Sequence, residues 1–336
     1  MTMHIGLIGG GNITDTHARA TGAIAGVQLA AVYGTNKEKV ERLSRQYGGR
    51  AYSEFQAFLN HRPMDMVVIG SPSGLHASQG IAAAQHGLHV LTEKPIDISV
   101  RRAEELIEAT DQAGVKLGVI FQDRGKKDIR RLKTLLDNGL VGRPLLVEAK
   151  VKWYLPAEYY GQSKWRGTFT MDGGGARINQ AIHTVDVLLW LMGDVSRVQA
   201  RTSAVLHSIE GEDTALALIE FANGALGSLQ ATTAAFPGYP RRVEITGTGG
   251  TVILEQDHIV AIDVKNPPAG IEVTVSSHDR ENNSSPVVSD FRSHQVIFED
   301  FLTAIREDRT PMCDGREGRR SLALVEKIYA AAKATG

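Results

Sequence analysis

Residues 6–17 read GLIGGGNITDTH: an apolar run, begun at His4, breaks on Gly9-Gly10-Gly11 and passes directly into a helical pattern. An unbroken apolar run of this length belongs to a strand covered on both faces. A helical pattern over about 13–25 follows it, so the run opens a strand–turn–helix unit. The same alternation continues outward. Residues 28–33 form a second strand-like run, and 37–47 an amphipathic segment with Val40 and Leu43 on one face. Residues 66–69, 89–92 and 116–121 read as further strands, with helical patterns over 75–86 and 100–113 between them. Strands alternating with helices of about 10–15 residues predict a parallel sheet with right-handed crossovers. The fold class is therefore α/β, with a doubly wound Rossmann sheet over residues 1–124.

The chain has 336 residues, more than one compact core usually serves, so a second domain over 125–336 is expected. With 42% hydrophobic and 22% charged residues and a net charge of −1, it carries no field that would draw nucleic acid or an anionic membrane. No apolar stretch reaches the roughly 20 residues of a membrane helix. The single Cys313 has no internal disulfide partner, and no leader peptide is read at the start, so a cytoplasmic protein is expected. Eleven histidines and one cysteine show no ligand-like spacing, so no metal is expected.

The glycine turn carries the first chemistry. In a dinucleotide fold, Gly9 permits the tight turn and Gly11 lets the backbone approach a pyrophosphate. Asn12 and Ile13 then open the helix whose N-terminus receives the anion. Thr14 stands where a third glycine is common, a departure expected to loosen helix–strand packing. A tight turn alone would also use these glycines; their place at the first strand–helix junction favours the cofactor. The second strand ends in Val32-Tyr33-Gly34-Thr35-Asn36-Lys37, where an acid would normally accept from the adenosine ribose of NAD. None is present. Gly34 is read as making room, and Thr35, Asn36 and Lys37 as donors and a positive charge for a 2′-phosphate, so NADP is expected in preference to NAD. An acid at position 34 should reverse that preference. Lys37 would equally suit a solvated helix face.

Ligands of an open α/β sheet bind beyond the C-terminal ends of its strands. Two such ends are polar here: Ser71-Pro72-Ser73-Gly74-Leu75-His76 and Glu93-Lys94-Pro95. Lys94 at that edge can serve as acid or base toward a substrate hydroxyl. Pro95 biases the residue before it away from helix. Taken in order and spacing, "IGLIGGGNIT", "SPSGLH" and "TEKP" after "GLHV" resemble the glucose–fructose oxidoreductase / inositol dehydrogenase / rhizopine-catabolism (Gfo/Idh/MocA) family. The resemblance implies an NAD(P)-dependent oxidoreductase of sugars, polyols or their derivatives. It places Lys94 at the substrate hydroxyl, Glu93 near the nicotinamide ribose, and Ser71, Pro72 and His76 with the cofactor. Ser73 replaces the family's usual asparagine. A cis Lys94–Pro95 bond is also implied.

Beyond Phe121 the pattern changes. Gln122 and Arg124 are placed with the substrate. A charged helix over 128–138 leads to a strand over 145–153, and several β-rich runs follow residue 195. Asn223-Gly224 between two of them is a hairpin signal. The second domain thus reads as α+β with a large, mostly antiparallel open sheet. The resemblance implies a homodimer or homotetramer made through that sheet, and a last helix, 316–333, returned to the first domain.

"DGGGARINQAIHTVDVLLWLMG", residues 172–193, holds a second polar cluster. Asn179 and His183 share a helix face at i, i+4, and the match to the family's G-G-x-x-x-D-x-x-x-H makes His183 the second catalytic candidate. Asn179 stands where many members have aspartate, which puts an aspartate-based proton relay in doubt. The form "NQAIH" resembles a subset that includes nucleotide-sugar 3-dehydrogenases. Asp186 reads as structural. Residues 150–169 hold two of the three tryptophans and three of the eight tyrosines. Lys152, Trp153, Tyr154, Trp165 and Arg166 are substrate candidates, since aromatic faces suit sugar rings and basic groups suit a carboxylate or phosphate. A core patch or subunit contact would use the same aromatics. Two further readings stay open: a non-catalytic regulator that binds dinucleotide and sugar, and an enzyme that uses tightly held NAD transiently.

Overall fold

The computed structural model describes residues 2–161, 168, 175, 181–267 and 290–334. The chain forms two compact units, Met1–Gly125 with Pro286–Leu322, and Lys126–Ser285 with Ala323–Gly336.

The first unit is built on β1 (Met3–Ile8), β2 (Val27–Tyr33), β3 (Arg50–Tyr52), β4 (Met66–Ile69), β5 (His89–Glu93) and β6 (Leu117–Ile120). Every neighbouring pair is parallel and the order is β3-β2-β1-β4-β5-β6. This is the doubly wound sheet expected from the alternation. Its strand order reverses between β1 and β4, the position where such folds place their ligands. Helices α1 (Asn12–Gly22), α2 (Lys37–Tyr47), α3 (Phe55–Leu59), α4 (His76–Gln85) and α5 (Val100–Ala113) make the crossovers. All four residues of β4 and of β6 are buried, which is why both read as unbroken apolar runs. The short β3 and α3 carry too few residues to show a period.

The second unit begins with α6 (Lys127–Asp137), β7 (Pro144–Lys152), α7 (Ala157–Gly161) and α8 (Ile182–Met192). It continues through β8 (Val195–Ser203), β9 (Thr214–Phe221), β10 (Leu226–Thr232), β11 (Arg242–Gly247), β12 (Gly250–Glu255) and β13 (His258–Val264). The seven strands lie in the order β13-β12-β11-β7-β10-β9-β8, and only the β7–β10 pair is parallel. The Asn223-Gly224 hairpin forms as read: Gly224 takes φ +87°, and the Asn223 side chain accepts from the Ala225 N–H at 3.0 Å. Helices α6 and α8 pack together, α8 against β7 and α6 against β13. Along β9 burial alternates strictly, with Ala215, Ala217 and Ile219 covered and Leu216 and Leu218 outward.

One more helix belongs to the first unit, α9 (Arg292–Arg306). Ile297, Phe298, Phe301 and Leu302 enter a core shared with Leu7, Leu91 and Ile120. Gly118 on β6 leaves the space for Phe301, whose ring would lie 2.7 Å from a Cβ there. The last helix, α10 (Gly315–Ala334), crosses the division between the units at Leu322 and Ala323. Among the described residues no helix is long and apolar enough to cross a membrane.

Candidate functional site

At the end of β1 the chain turns on Gly9, with φ +135°, and its N–H donates to the Tyr33 carbonyl at 2.8 Å. A Cβ at Gly9 would lie 2.5 Å from Thr14 Oγ1 and 2.7 Å from the Gly70 carbonyl, so only glycine fits. Thr14 is fully buried against this turn. The expectation that it loosens the packing is corrected: its side chain fills the space over Gly9. Gly11 is the N-cap of α1 and offers no side-chain cap, and a Cβ on it would meet nothing within 4 Å. Uncapped amides at a helix start, open in front and closed behind, are what a pyrophosphate needs. The residues present fit a dinucleotide.

At the end of β2, Asn36 caps α2 by accepting from the Lys39 N–H at 3.0 Å. Lys37 is 77% exposed and 3.9 Å from Glu41. Gly34 does not stand in open space: a Cβ would lie 2.9 Å from Val40 Cγ2 and 3.3 Å from the Gly9 carbonyl. Its role is to let α2 and the glycine turn close together. An acid at that position would strain both, so the expected switch of cofactor preference there is replaced by a packing role.

The loops after β4 and β5 are joined by buried hydrogen bonds. His76 lies with Nδ1 2.8 Å from the Pro95 carbonyl and Nε2 2.9 Å from the Ser71 carbonyl. Asp97, fully buried, accepts from the Ala77 N–H at 2.8 Å and so caps α4 from the neighbouring loop. It also accepts from the Ile98 N–H and from Arg102 Nε, each at 2.7 Å, while Arg102 Nη2 donates to the Gly74 carbonyl. Ser71 Oγ donates to Gln79 Oε1 at 2.6 Å. The Lys94–Pro95 bond is cis, as the resemblance implied. Half-buried Lys94 thus sits on a loop whose neighbours on both sides are tied down.

Glu93, one residue earlier, is 6% exposed. Its Oε1 lies 2.9 Å from His17 Nε2 and 3.5 Å from His294 Nε2, and its Oε2 accepts from the Lys94 N–H at 3.1 Å. Burial alone would raise the Glu93 carboxyl; the hydrogen bonds and charge from His17 and His294 hold it well below the usual carboxylate range. Burial pushes the His17 imidazole down from 6.5 against the pull of Glu93, with His294 and His76 adding to the lowering. We read the pair as a neutral imidazole donating to an ionised carboxylate. Neither histidine was singled out from sequence. Arg124 is 1% exposed and donates to Glu317 Oε2 at 3.0 Å and to the Met312 carbonyl at 3.1 Å, a brace inside the first unit rather than an exposed guanidinium. Gln122 Oε1 is buried with no partner among the described residues.

In the second unit, Lys152 is exposed at the end of β7, and Trp153 packs on Val151, Ala181 and Ala231. The Trp153 indole N–H is buried without an acceptor among the described residues. Tyr154 stacks edge-on with Phe236 at 5.3 Å. Helix α8 is buried along its whole length except at His183 and Trp190, which are half-buried. A helix covered all round is a core helix, so His183 is placed by a rigid element. Asp186 is fully buried, in keeping with a structural role. Ahead of α8, the Gly175 N–H donates to Tyr329 Oη at 3.3 Å, and Tyr329 donates to Glu212 at 2.7 Å. A Cβ on Gly175 would fall 1.9 Å from the Glu212 carbonyl, so this glycine is required by close approach. Trp165, Arg166 and Asn179 lie outside the described residues.

The fold and the polar strand ends together define a dinucleotide-binding oxidoreductase of two units. Residues 3–121 match the model of the oxidoreductase family with an NAD-binding Rossmann fold, and residues 129–253 match the Gfo/Idh/MocA C-terminal domain. The chain belongs to the Gfo/Idh/MocA oxidoreductase family. Among solved structures it is similar to the WlbA dehydrogenase from Bordetella pertussis in complex with NADH and UDP-GlcNAcA. The two are 33% identical with a TM-score of 0.90, covering 100% of this chain and 96% of that one. Among curated proteins it is similar to myo-inositol 2-dehydrogenase of Thermotoga maritima, 25% identical over 96% of this chain and 94% of that protein. It is also 26% identical to D-apiose dehydrogenase of Paraburkholderia graminis, over 97% of this chain and 87% of that protein.

Proposed function

We propose that this chain is an NAD(P)-dependent dehydrogenase that oxidises a CH–OH group of a nucleotide-linked sugar, with Lys94 as its acid/base. The observation that carries the reading is Lys94 itself, held on a loop tied down on both sides at the ligand-binding edge of the sheet. The WlbA complex with NADH and UDP-GlcNAcA, 33% identical over the whole of this chain, supports the substrate class. The "NQAIH" form at 179–183 supports it from the sequence side.

Gly9, Gly11 and the first amides of α1 would receive the pyrophosphate. When bound, a nicotinamide dinucleotide supplies the hydride acceptor. Lys94 takes the proton that leaves the substrate hydroxyl. His183 assists in handling that proton, the role the family resemblance gives it. For the second substrate, the side chains at the β2 end argue for NADP: no acid is present and Lys37 supplies positive charge. The NADH complexes of relatives argue that NAD is accepted as well. The outward leucines of the second-unit sheet support a homodimer or homotetramer formed through that face.

The test is absorbance at 340 nm with NAD and NADP, each offered with nucleotide sugars, nucleotide-linked uronates, free sugars and polyols. Reduction of cofactor with a nucleotide sugar, at least ten times faster per unit concentration than with the free sugar, is the expected result. Reduction only with a free polyol would overturn the substrate class. Silence across the panel despite dinucleotide binding would overturn the dehydrogenase reading and favour a regulator or transient use of NAD.

A further inference from the structure

Three ionisable side chains from widely separated parts of the chain meet inside the first unit: His17 on α1, Glu93 at the end of β5 and His294 on α9. His17 is fully buried and His294 is 1% exposed. Their surroundings are apolar: the His17 ring lies 5.6 Å from that of Phe298. Burying such groups is costly unless each is hydrogen-bonded, and apolar side chains would fill the same volume at less cost.

The ligand atoms of the three lie within 4.8 Å of one another, as they would around a metal ion. The second shell argues otherwise. A metal on Nε2 would leave the proton on Nδ1, where metal-bound histidines normally find an acceptor. Nδ1 of His17 and Nδ1 of His294 are both buried with no partner among the described residues. With Nε2–H of His17 donating to Oε1 at 2.9 Å, the carboxylate is held by a direct hydrogen bond that needs no bridging ion.

We infer that His17, Glu93 and His294 form a positioning element for Lys94: the histidines hold the carboxylate, and the carboxylate holds the main chain of residue 94 through its N–H. The inference rests on the reading of Lys94 as acid/base. The element also fixes a negative charge on the residue preceding that lysine, at 3.1 Å from its main-chain N–H. The titratable groups facing Glu93 are His17 from α1 and His294 from α9, with Lys94 next in the chain; His76, at the start of α4, acts on His17. Because Oε1 and Oε2 are both committed to protein donors, Glu93 works through position and charge, not by passing a proton. His17 and His294 therefore matter to turnover without touching substrate.

The test uses the full chain with Glu93→Gln, His17→Ala and His17→Gln. With the substrate found in the panel, Glu93→Gln and His17→Ala should lower kcat about 10- to 100-fold and leave KM for both substrates within about three-fold. His17→Gln, which returns an amide donor, should recover most of the loss. A second readout needs no substrate: the pH dependence of Lys94 acylation by acetic anhydride, followed by mass spectrometry with exposed Lys37 as reference. Removing the charge in Glu93→Gln should move the Lys94 midpoint down by about half a pH unit or more and leave Lys37 unmoved. An unchanged Lys94 profile would overturn the inference, as would a kcat that survives both Glu93→Gln and His17→Ala. Stoichiometric metal retained through chelation would overturn it in favour of a metal site. A shifted Lys94 profile in a protein silent across the panel would sink the dehydrogenase reading and leave the positioning element standing.

Discussion

Position 34 illustrates how one missing side chain controls a site. Gly34 lies between Val40 of α2 and the Gly9 carbonyl, where a Cβ would come within 2.9 Å of a Val40 methyl and 3.3 Å of the carbonyl oxygen. Gly34→Asp should therefore weaken NAD and NADP binding together, by about ten-fold or more, rather than exchange one for the other. Titration of both cofactors by NADH and NADPH fluorescence checks this, and a clean exchange of preference would contradict it. Lys37 is the residue to test for preference, since its ammonium is exposed and only loosely paired with Glu41. Lys37→Glu should raise the Kd for NADP about three- to ten-fold and change that for NAD less than two-fold. At this scale the glycines and Lys94 were legible because their chemistry depends on place along the chain. Thr14, Gly34 and Arg124 were not, because what each does is set by neighbours that only folding brings together.

Among elements, α9 carries a residue whose role depends on packing rather than on sequence spacing. Its apolar residues, Ile297, Phe298, Phe301 and Leu302, repeat at helical spacing, so the signal for a helix was present. No sequence signal gives the pairing of its His294 with Glu93, which depends on α9 packing beside α1. The cluster has a consequence for acid stability. His17 is held neutral, below the ordinary 6.5, so the unfolded chain binds a proton that the folded chain refuses. Stability from this group is complete above about pH 6.5 and falls as pH drops below it. Glu93, held well below the ordinary 4.5, adds a second loss as pH falls below about 4.5. The melting temperature should be level above pH 7 and decline below about 6.5, with His61 and His89, also lowered by burial, contributing. His17→Gln should decline less steeply between about pH 6.5 and 5; a slope equal to the parent's would contradict the neutral-imidazole assignment.

For the whole molecule, the alternation of strands and helices was enough to read the first sheet, because crossover rules leave few topologies open. The second sheet was legible in composition and in its hairpin, but not in order: the parallel β7–β10 pair joins strands far apart in sequence. Its outward face carries Leu146 and Leu226 opposite each other, with Leu216 and Leu218 on the neighbouring strand. Leu218, 55% exposed, would contact a second copy in the homo-oligomer proposed above. Leu218→Arg should shift the mass in solution toward the monomer and change the melting temperature of the monomer by only a degree or two, on the order of a surface substitution. Light scattering reads this directly, and a parent protein already monomeric at high concentration would refute the interface.

The proposed chemistry turns on Lys94. Its direct measurement is turnover of the Lys94→Ala variant against the parent, with cofactor affinity measured on the same samples. The expected result is a loss of about 100- to 10,000-fold in kcat with the cofactor Kd within about two-fold of the parent. Turnover within ten-fold of the parent would contradict the assignment of Lys94 as the acid/base.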